Sequence, residues 1–463
     1  MGNNDIYNNY NNDNNVSNNV SNFGSLNLNV SANTTQHKVY LATFGCKVNY
    51  AETQRIAEEF VEQGIFLADN INDADILVIN TCSVTKKADA DARKAIRHSL
   101  KINPNLYVII TGCAVDINPF QFSSIEGADL IIPNNEKFNI LKYSDDFKKL
   151  DESKIIDSKI ENVQFQFAYS NEEDSRSRAV LKIQDGCEYN CSYCTIPLAR
   201  GHFRSMPFNE IISTVEKVKS NGFNEIVLVG INLSEYQFQN KRFLDVLKLL
   251  EESDIDIRIR ISSIEPNILN AEIIKFIAES QKICHHFHIP LQSGSNNILK
   301  LMRRRYTAEQ FKTKIDLISQ YIPDAGIGVD VITGFPDEIE EYFQETYTLL
   351  DNLAISYLHV FSYSERDNTL ATTMQNKIPE KIKKERTNIL RELSKRKTEI
   401  FYKNQLGKIR EVIFEKKLED DIYFGHSDNY IPVITKSRND IINARMNIKL
   451  ISLIMGKIKG EIV

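Results

Sequence analysis

Apolar residues recur along this chain in two modes, short unbroken runs and longer stretches with the three-to-four-residue spacing of an amphipathic helix. Lys38–Thr43, Asp75–Asn80 and Leu106–Thr111 are runs of the first kind, and Ala51–Gln63 and Ala88–Lys101 between them carry the helical spacing. Short strands alternating with helices build βαβ units on a parallel sheet. The pattern therefore predicts an α/β protein that starts with an open parallel α/β domain over residues 37–160. A second alternation follows, with strands expected at Ala179–Ile183, Glu225–Val229, Ile257–Ser262, His286–Pro290, Gly326–Ile332 and Tyr357–Phe361. Helical spacing separates most of them, at Phe208–Asn221, Phe243–Glu252, Ile268–Glu279 and Ala308–Tyr321. Six such repeats predict a partial (β/α)6 barrel over residues 173–398. The polar, charged stretch Asn171–Arg178 reads as the linker between the two.

Three further segments break the rhythm. Residues 1–36 are dominated by Asn and bury too little apolar surface to offset the entropy of ordering, so a disordered tail is expected there. Residues 377–404 read as a long basic helix carrying Lys381, Lys383, Lys384, Arg386, Arg391, Lys395, Arg396 and Lys397. Beyond it, Arg410–Glu415, Tyr430–Lys436 and Met446–Ile451 alternate as short strands, which predicts a small β-barrel over residues 399–463, a shape often used on nucleic acid.

With 42% apolar residues in 463 the chain can fill several cores, and its net charge of −6 gives no global attraction for nucleic acid. Any RNA contact must come from local basic surface. No apolar run of about 18 residues and no signal-peptide pattern is present, so a cytoplasmic protein with no membrane partner is expected. The seven cysteines form an odd set, which argues against a disulfide framework and leaves thiols available as ligands.

Their placement carries the chemistry. Cys187-Glu-Tyr-Asn-Cys191-Ser-Tyr-Cys194 is a C-x3-C-x2-C triplet just past the first strand of the barrel, at the edge where barrel enzymes build active sites. Thiolates are soft ligands for iron–sulfur clusters or zinc. Three ligands leave one iron of a four-iron cluster open, where the amino and carboxylate groups of S-adenosylmethionine (SAM) can bind; zinc with His202 as fourth ligand is the alternative. Cys46, Cys82 and Cys113 each follow an expected strand of the first domain, so they converge on one edge of a parallel sheet. Taken singly, each reads equally well as a small buried apolar residue. Cys284, His286 and His288 share one face of a regular strand, but with no carboxylate adjacent in sequence a structural role is favoured there.

At these residues the chain resembles the methylthiotransferases, a branch of the radical SAM superfamily. Gln184-Asp-Gly-Cys187 to Cys194 with Ala199-Arg-Gly201 looks like their SAM-cluster loop. Pro290-Leu-Gln-Ser-Gly-Ser295, Met302-Arg-Arg-Arg-Tyr-Thr307, Asp330-Val-Ile-Thr-Gly-Phe-Pro336 and His359-Val-Phe-Ser-Tyr-Ser-Glu-Arg366 resemble further signatures, in order along the chain. Ser362 stands where the family often has Pro, and Asp367-Asn368 replaces a common Pro-Gly. Gly45-Cys46-Lys47-Val48-Asn49 with Glu52-Thr53 looks like the MtaB branch, which acts on N6-threonylcarbamoyladenosine beside the anticodon of tRNA; sister branches act on isopentenyladenosine or on a ribosomal-protein aspartate.

The resemblance implies a methylthiotransferase domain, a radical SAM barrel and a TRAM-like barrel that contacts RNA. It implies two [4Fe–4S] clusters, one on Cys187, Cys191 and Cys194 and one on Cys46, Cys82 and Cys113. Two SAM would be used per product, one as methyl donor and one as source of a 5′-deoxyadenosyl radical, with tRNA, an electron donor and a sulfur donor as partners. Tyr193, Gly230, Asn232, Ser262, Glu265 and Gln292 lie near expected strand ends and are candidates for SAM contact. Arg303, Arg304 and Arg305, with the 377–404 helix and the terminal barrel, are candidates for RNA phosphate contact. No acid–base residue is singled out as catalytic. A non-catalytic cluster protein that binds RNA, such as a redox sensor, is the alternative from another class.

Overall fold

Six strands form one fully parallel sheet in the first part of the chain: β1 (Lys38–Thr43), β2 (Phe66–Leu67), β3 (Ile76–Thr81), β4 (Tyr107–Gly112), β5 (Leu130–Ile132) and β6 (Lys154–Ile155). Their order is β2-β1-β3-β4-β5-β6. The computed structural model describes residues 37–144, 146–158, 163–170, 177–419 and 421–463, so the Asn-rich segment and most of the polar linker lie outside the described residues. The chain divides into two compact units, up to residue 160 and from residue 161 onward.

The central strands of the first unit read as continuous apolar runs because both faces are covered. Tyr40, Leu77, Ile79, Val108 and Ile110 pack with Ala88, Ala92 and Ile96 of the helix Lys86–Ile102. Val39, Leu41, Ile76, Val78 and Ile109 pack with Ile56, Ala57 and Phe60 of the helix Lys47–Glu62. The second of these begins four residues before the apolar spacing does, because its first turn buries Asn49 for its hydrogen bonds.

In the second unit, β7 (Arg178–Lys182), β8 (Glu225–Val229) and β9 (Arg258–Ile261) form one parallel sheet, and β10 (His286–Gln292), β11 (Gly326–Thr333) and β12 (Tyr357–Ser362) another. A parallel bridge between Ile259 and Ile283 joins them into an open six-stranded barrel. Alternate residues (Ala179, Leu181, Ile226, Leu228, Ile259, Phe287, Ile289, Val329, Val331, Leu358 and Val360) pack outward in one core with helix residues such as Ile211, Val215, Phe311, Ile315 and Phe343. Side chains alternate across a strand, so Arg178, Glu225, Arg258, Arg260, His286, His288, Asp330 and His359 line the concave face.

The basic segment forms the helix Glu380–Gln405, but much of its charge is turned inward. Arg386 donates to Glu338 Oε2 at 2.9 Å and to its carbonyl, Lys383 is buried against Tyr363, and Lys397 donates to the carbonyls of Asp351 and Leu353. Ser394 and Thr387 bind Leu358 and Thr333 of the barrel strands. The helix is a covering element of the barrel, and only Lys381, Lys384, Arg391, Lys395 and Arg396 among its named cations are exposed.

After it, β13 (Ile409–Glu419), β14 (Ile422–Ser427), β15 (Pro432–Lys436), β16 (Arg445–Ile454) and β17 (Lys457–Ile462) close into a barrel in the order β13-β14-β15-β17-β16. It sits against the N-terminal ends of β7–β11. There Glu225 is ion-paired with Arg258 at 2.5 Å and Arg260 at 2.8 Å, and the two guanidinium groups also donate to the carbonyls of Glu411, His426, Ser427 and Asp428. Tyr430, expected in a strand, instead takes φ 68° in a turn that stacks its ring on His286 and His426. No helix among the described residues is long and apolar enough to cross a membrane.

Candidate metal centres and the loops that carry them

In the first unit the three cysteines occupy equivalent positions on adjacent strands. Cys46 caps the helix after β1, Cys82 directly follows β3, and Cys113 opens the short helix after β4. Cys46 is exposed, whereas Cys82 and Cys113 are buried. Burial pushes the Cys82 thiol up, and Cys46 and Cys113 push it the same way, so the three sulfurs share one electrostatic neighbourhood. Such a set ionises readily only around a positive metal centre.

Backbone geometry makes room for this edge. Gly45 has φ 106°, and a Cβ there would stand 2.6 Å from Cys82 Cβ and Sγ; Gly112 has φ 101° and would meet the Thr81 backbone at 2.4 Å. Asn49 Nδ2 donates to the carbonyls of Phe44 (2.9 Å) and Thr81 (2.8 Å), tying the Cys46 loop to the Cys82 loop. Glu52 pairs with Lys137 at 2.6 Å, both side chains 1% exposed. Glu52→Gln leaves the Lys137 ammonium buried beside a neutral amide. The expected loss, about 3–5 kcal/mol, is measurable by urea unfolding; a loss below about 1 kcal/mol would show that the pair behaves as a surface ion pair.

In the second unit the C-x3-C-x2-C triplet lies past the end of β7. Gly186, at φ 69°, approaches the His202 carbonyl so closely that a Cβ would sit 1.9 Å from its oxygen. Asp185 anchors the loop by accepting from Arg200 at 2.9 Å, Arg204 at 2.8 Å and the Gly186 N–H at 2.9 Å. Ser192 is held by the Leu301 and Met302 carbonyls. Burial pushes the Cys187 thiol up, with Glu235 adding to it, and burial pushes Cys194 up to about 12 with Cys191 adding to it. Without a metal these groups stay protonated near neutrality.

The zinc alternative finds no support in this geometry. His202 is 86% exposed and its Nδ1 faces Glu188 Oε1 at 2.7 Å. Among the described residues, His288, Asp330 and His359 bring three ligand atoms within 4.8 Å of one another. Cys284, His286 and His288 do not form a site. The Cys284 thiol lies 3.8 Å from Glu225, His286 Nε2 is 2.7 Å from the Tyr357 hydroxyl, and His288 turns to Asp330.

The other expected site residues fall into distinct groups. Asn232 donates to Cys187 Sγ at 3.8 Å, its backbone N–H donates to Gln184 Oε1 at 2.7 Å, and Gly230 packs against the same Gln184. Glu265 accepts from Arg304 at 2.5 Å. Ser262 and Gln292 are half-buried at the ends of β9 and β10, and Gln292 holds the left-handed φ of 67°. Tyr193 packs edge-on to Phe335.

The arginine run differs most from expectation. Arg304 is not a surface phosphate ligand: its side chain is 4% exposed, and Nη1 donates to Cys191 Sγ at 3.4 Å while Nε donates to Tyr306. Arg305 stacks on Tyr189 at 3.9 Å and donates to the Glu188 carbonyl, inside the cluster loop. Arg303 is exposed, at φ 57°. Arg304 thus lies buried against Cys191 and Glu265, a placement that a run of like charges disguises in the sequence. The positive φ at Arg303, which turns Arg304 inward, has no sequence signal of its own.

Comparison with known proteins agrees with this layout. Residues 181–350 match the radical SAM superfamily, and residues 38–133 match the uncharacterized protein family UPF0004. The chain is 36% identical to the threonylcarbamoyladenosine tRNA methylthiotransferase MtaB of Bacillus subtilis (strain 168), covering 88% of this chain and 92% of the relative. It is 37% identical to the protein of the same name from Aquifex aeolicus, over 82% and 93%. A tRNA-2-methylthio-N(6)-dimethylallyladenosine synthase of Thermodesulfovibrio yellowstonii is 31% identical over 92% and 98%. Among solved structures, the radical SAM methyltransferase TsrM from Kitasatospora setae shares the fold, with TM-score 0.54 and 11% identity over 73% of this chain and 77% of that one.

Proposed function

The chain belongs to the radical SAM methylthiotransferases, in the MtaB branch, and from that premise we propose that it places a methylthio group on C2 of N6-threonylcarbamoyladenosine at position 37 of tRNA. The observation that carries the proposal is the occurrence of two separate thiol triplets, each at the C-terminal edge of parallel strands. One triplet suffices for a SAM-cleaving enzyme, whereas a second gives the sulfur a place of its own. [4Fe–4S] clusters held by Cys187, Cys191 and Cys194 and by Cys46, Cys82 and Cys113 would supply the one-electron chemistry that cleaves SAM and the sulfur chemistry of the transfer.

The chain's own residues position and shield these groups. Asp185 with Arg200 and Arg204 fixes the loop that presents Cys187, Cys191 and Cys194. Arg304 sets a buried positive charge against Cys191 and Glu265, which stabilises added negative charge on that ligand set. Gly230, Asn232, Ser262, Glu265 and Gln292 surround the strand ends where SAM is expected, and Tyr193 backs the loop. On the first unit, Asn49 holds the Cys46 and Cys82 loops in register. RNA contact falls to Arg303 and to the terminal barrel, where Lys416 and Lys457 lie over Phe424 and Lys417 over Tyr423. Such phosphate contacts act locally on a chain of net negative charge. A cytoplasmic location is part of this proposal, as action on tRNA asks for one.

Reconstituted anaerobically, reduced and given SAM, the protein is expected to form 5′-deoxyadenosine and to methylthiolate threonylcarbamoylated tRNA, using two SAM per product. An iron–sulfur redox sensor would leave SAM intact, and that result would remove the enzyme reading altogether.

A further inference from the structure

The C-terminal edge of the first sheet carries a row of polar side chains beneath the cysteines. Thr43 on β1 pairs in register with Asn80 on β3, and Asn80 with Thr111 on β4. Paired residues on neighbouring parallel strands share a face. Leu41, Val78 and Ile109, two positions earlier on the same strands, pack against the helix Lys47–Glu62. The row therefore faces that helix, whose N-cap is Cys46. Asn80 Nδ2 donates to the Asn49 carbonyl at 3.0 Å and to Thr53 Oγ1 at 3.1 Å, both in the same helix. Cys82 and Cys113 each stand two residues beyond the row, about 7 Å along a strand, and Cys46 stands three beyond it.

The oxygens of this row are not used by the described protein. Thr43 is 8% exposed and Asn80 and Thr111 are fully buried. Yet Thr43 Oγ1, Asn80 Oδ1 and Thr111 Oγ1 have no hydrogen-bond partner among the described residues. Buried polar atoms without a partner are rare, and they mark a place that a ligand or a water completes. The same strands supply the contrast: Thr81, on the opposite face, spends its hydroxyl on the Thr111 carbonyl at 2.7 Å. Asn80 Oδ1 can only accept, and it lies against Gly112, where a Cβ would stand 2.5 Å from it. Asn80 thus ties the row to the helix. Thr43 and Thr111 are left as two O–H donors without a protein acceptor, at the edge where a cluster would bring negatively charged sulfurs.

We propose that the Thr43 and Thr111 hydroxyls donate hydrogen bonds to sulfur atoms of the cluster held by Cys46, Cys82 and Cys113, and so raise its reduction potential; this rests on the cluster assignment made above. One electron added to such a cluster adds negative charge to its sulfurs. A donor beside them stabilises the reduced form more than the oxidised one, and hydrogen bonds to sulfur are among the levers that set cluster potentials. Both threonines are positioning residues, acting through the cluster.

The test uses the Cys191→Ala background, in which the first-unit cluster is the one expected to remain. Its one-electron reduction by dithionite is followed by electron paramagnetic resonance at controlled potential. Thr111→Val and Thr43→Val keep the side-chain shape and remove the hydroxyl. Each is expected to retain about four irons and to shift the reduction equilibrium about 5- to 10-fold toward the oxidised form. That shift is a fall of about 40–60 mV in midpoint potential. Thr111→Ser is expected to return it toward the parent value. In the cluster-free full chain, Thr111→Val is expected to melt at the same temperature or higher, because the hydroxyl it removes has no partner among the described residues. An unchanged potential in both valine variants would overturn the role of the row. So would a lower melting temperature, since the hydroxyl would then already be used inside the protein, by a buried water for example. Iron lost in Thr111→Val and not restored by Thr111→Ser would make Thr111 a packing residue and overturn the role as well. Absence of any iron–sulfur signal in the Cys191→Ala parent would instead overturn the assignment of Cys46, Cys82 and Cys113 on which the row depends.

Discussion

Cys191→Ala is expected to reduce SAM cleavage to background and to remove about four iron atoms per chain, while the first unit keeps its own complement. Cys191 is buried in the loop after β7, bonded to Arg304 rather than packed in a hydrophobic core, so its loss acts on the ligand set before it acts on the fold. Two thiols cannot hold a four-iron cluster whose fourth iron must stay open for SAM. Iron and sulfide analysis together with 5′-deoxyadenosine formation reads the effect. A variant that kept full iron content and cleaved SAM at the wild-type rate would show that Cys187, Cys191 and Cys194 are not the cluster ligands.

Cys46→Ala separates the two centres. Cys46 is exposed and caps its helix without a side-chain cap bond, so alanine leaves the cap and the core of the first unit as they are. The variant is expected to lose about four iron atoms and all methylthiolated product while still cleaving SAM. That split between cleavage and transfer is what two centres with different tasks require. If cleavage and transfer fell together, or if product formation persisted, the sulfur-holding role of Cys46, Cys82 and Cys113 would fail.

Much of this layout is legible in the residues alone, for a physical reason. Parallel strands covered on both faces appear as unbroken apolar runs, and a cysteine just past such a run is placed at the sheet edge by the run itself. Hence Cys46, Cys82 and Cys113, far apart in sequence, point to one locus. What sequence spacing conceals is register and inward rotation. His288, Asp330 and His359 lie on three strands separated by helices, and only the pairing of β10, β11 and β12 brings them together. Arg303–Arg305 reads as a charged surface because a run of arginines usually is one. A left-handed residue at 303 folds Arg304 beneath the cluster loop instead. The 380–405 helix misleads in the same way, since Lys383 and Arg386 are themselves buried, Arg386 against the buried Glu338.

The most direct test of the central claim is mass spectrometry of tRNA nucleosides from cells with and without this gene. The expected result is loss of 2-methylthio-N6-threonylcarbamoyladenosine, with N6-threonylcarbamoyladenosine accumulating in its place. Unchanged 2-methylthio-N6-threonylcarbamoyladenosine in the deleted strain would contradict the account, and loss of the methylthio group from the isopentenyl nucleoside instead would keep the chemistry and reassign the substrate.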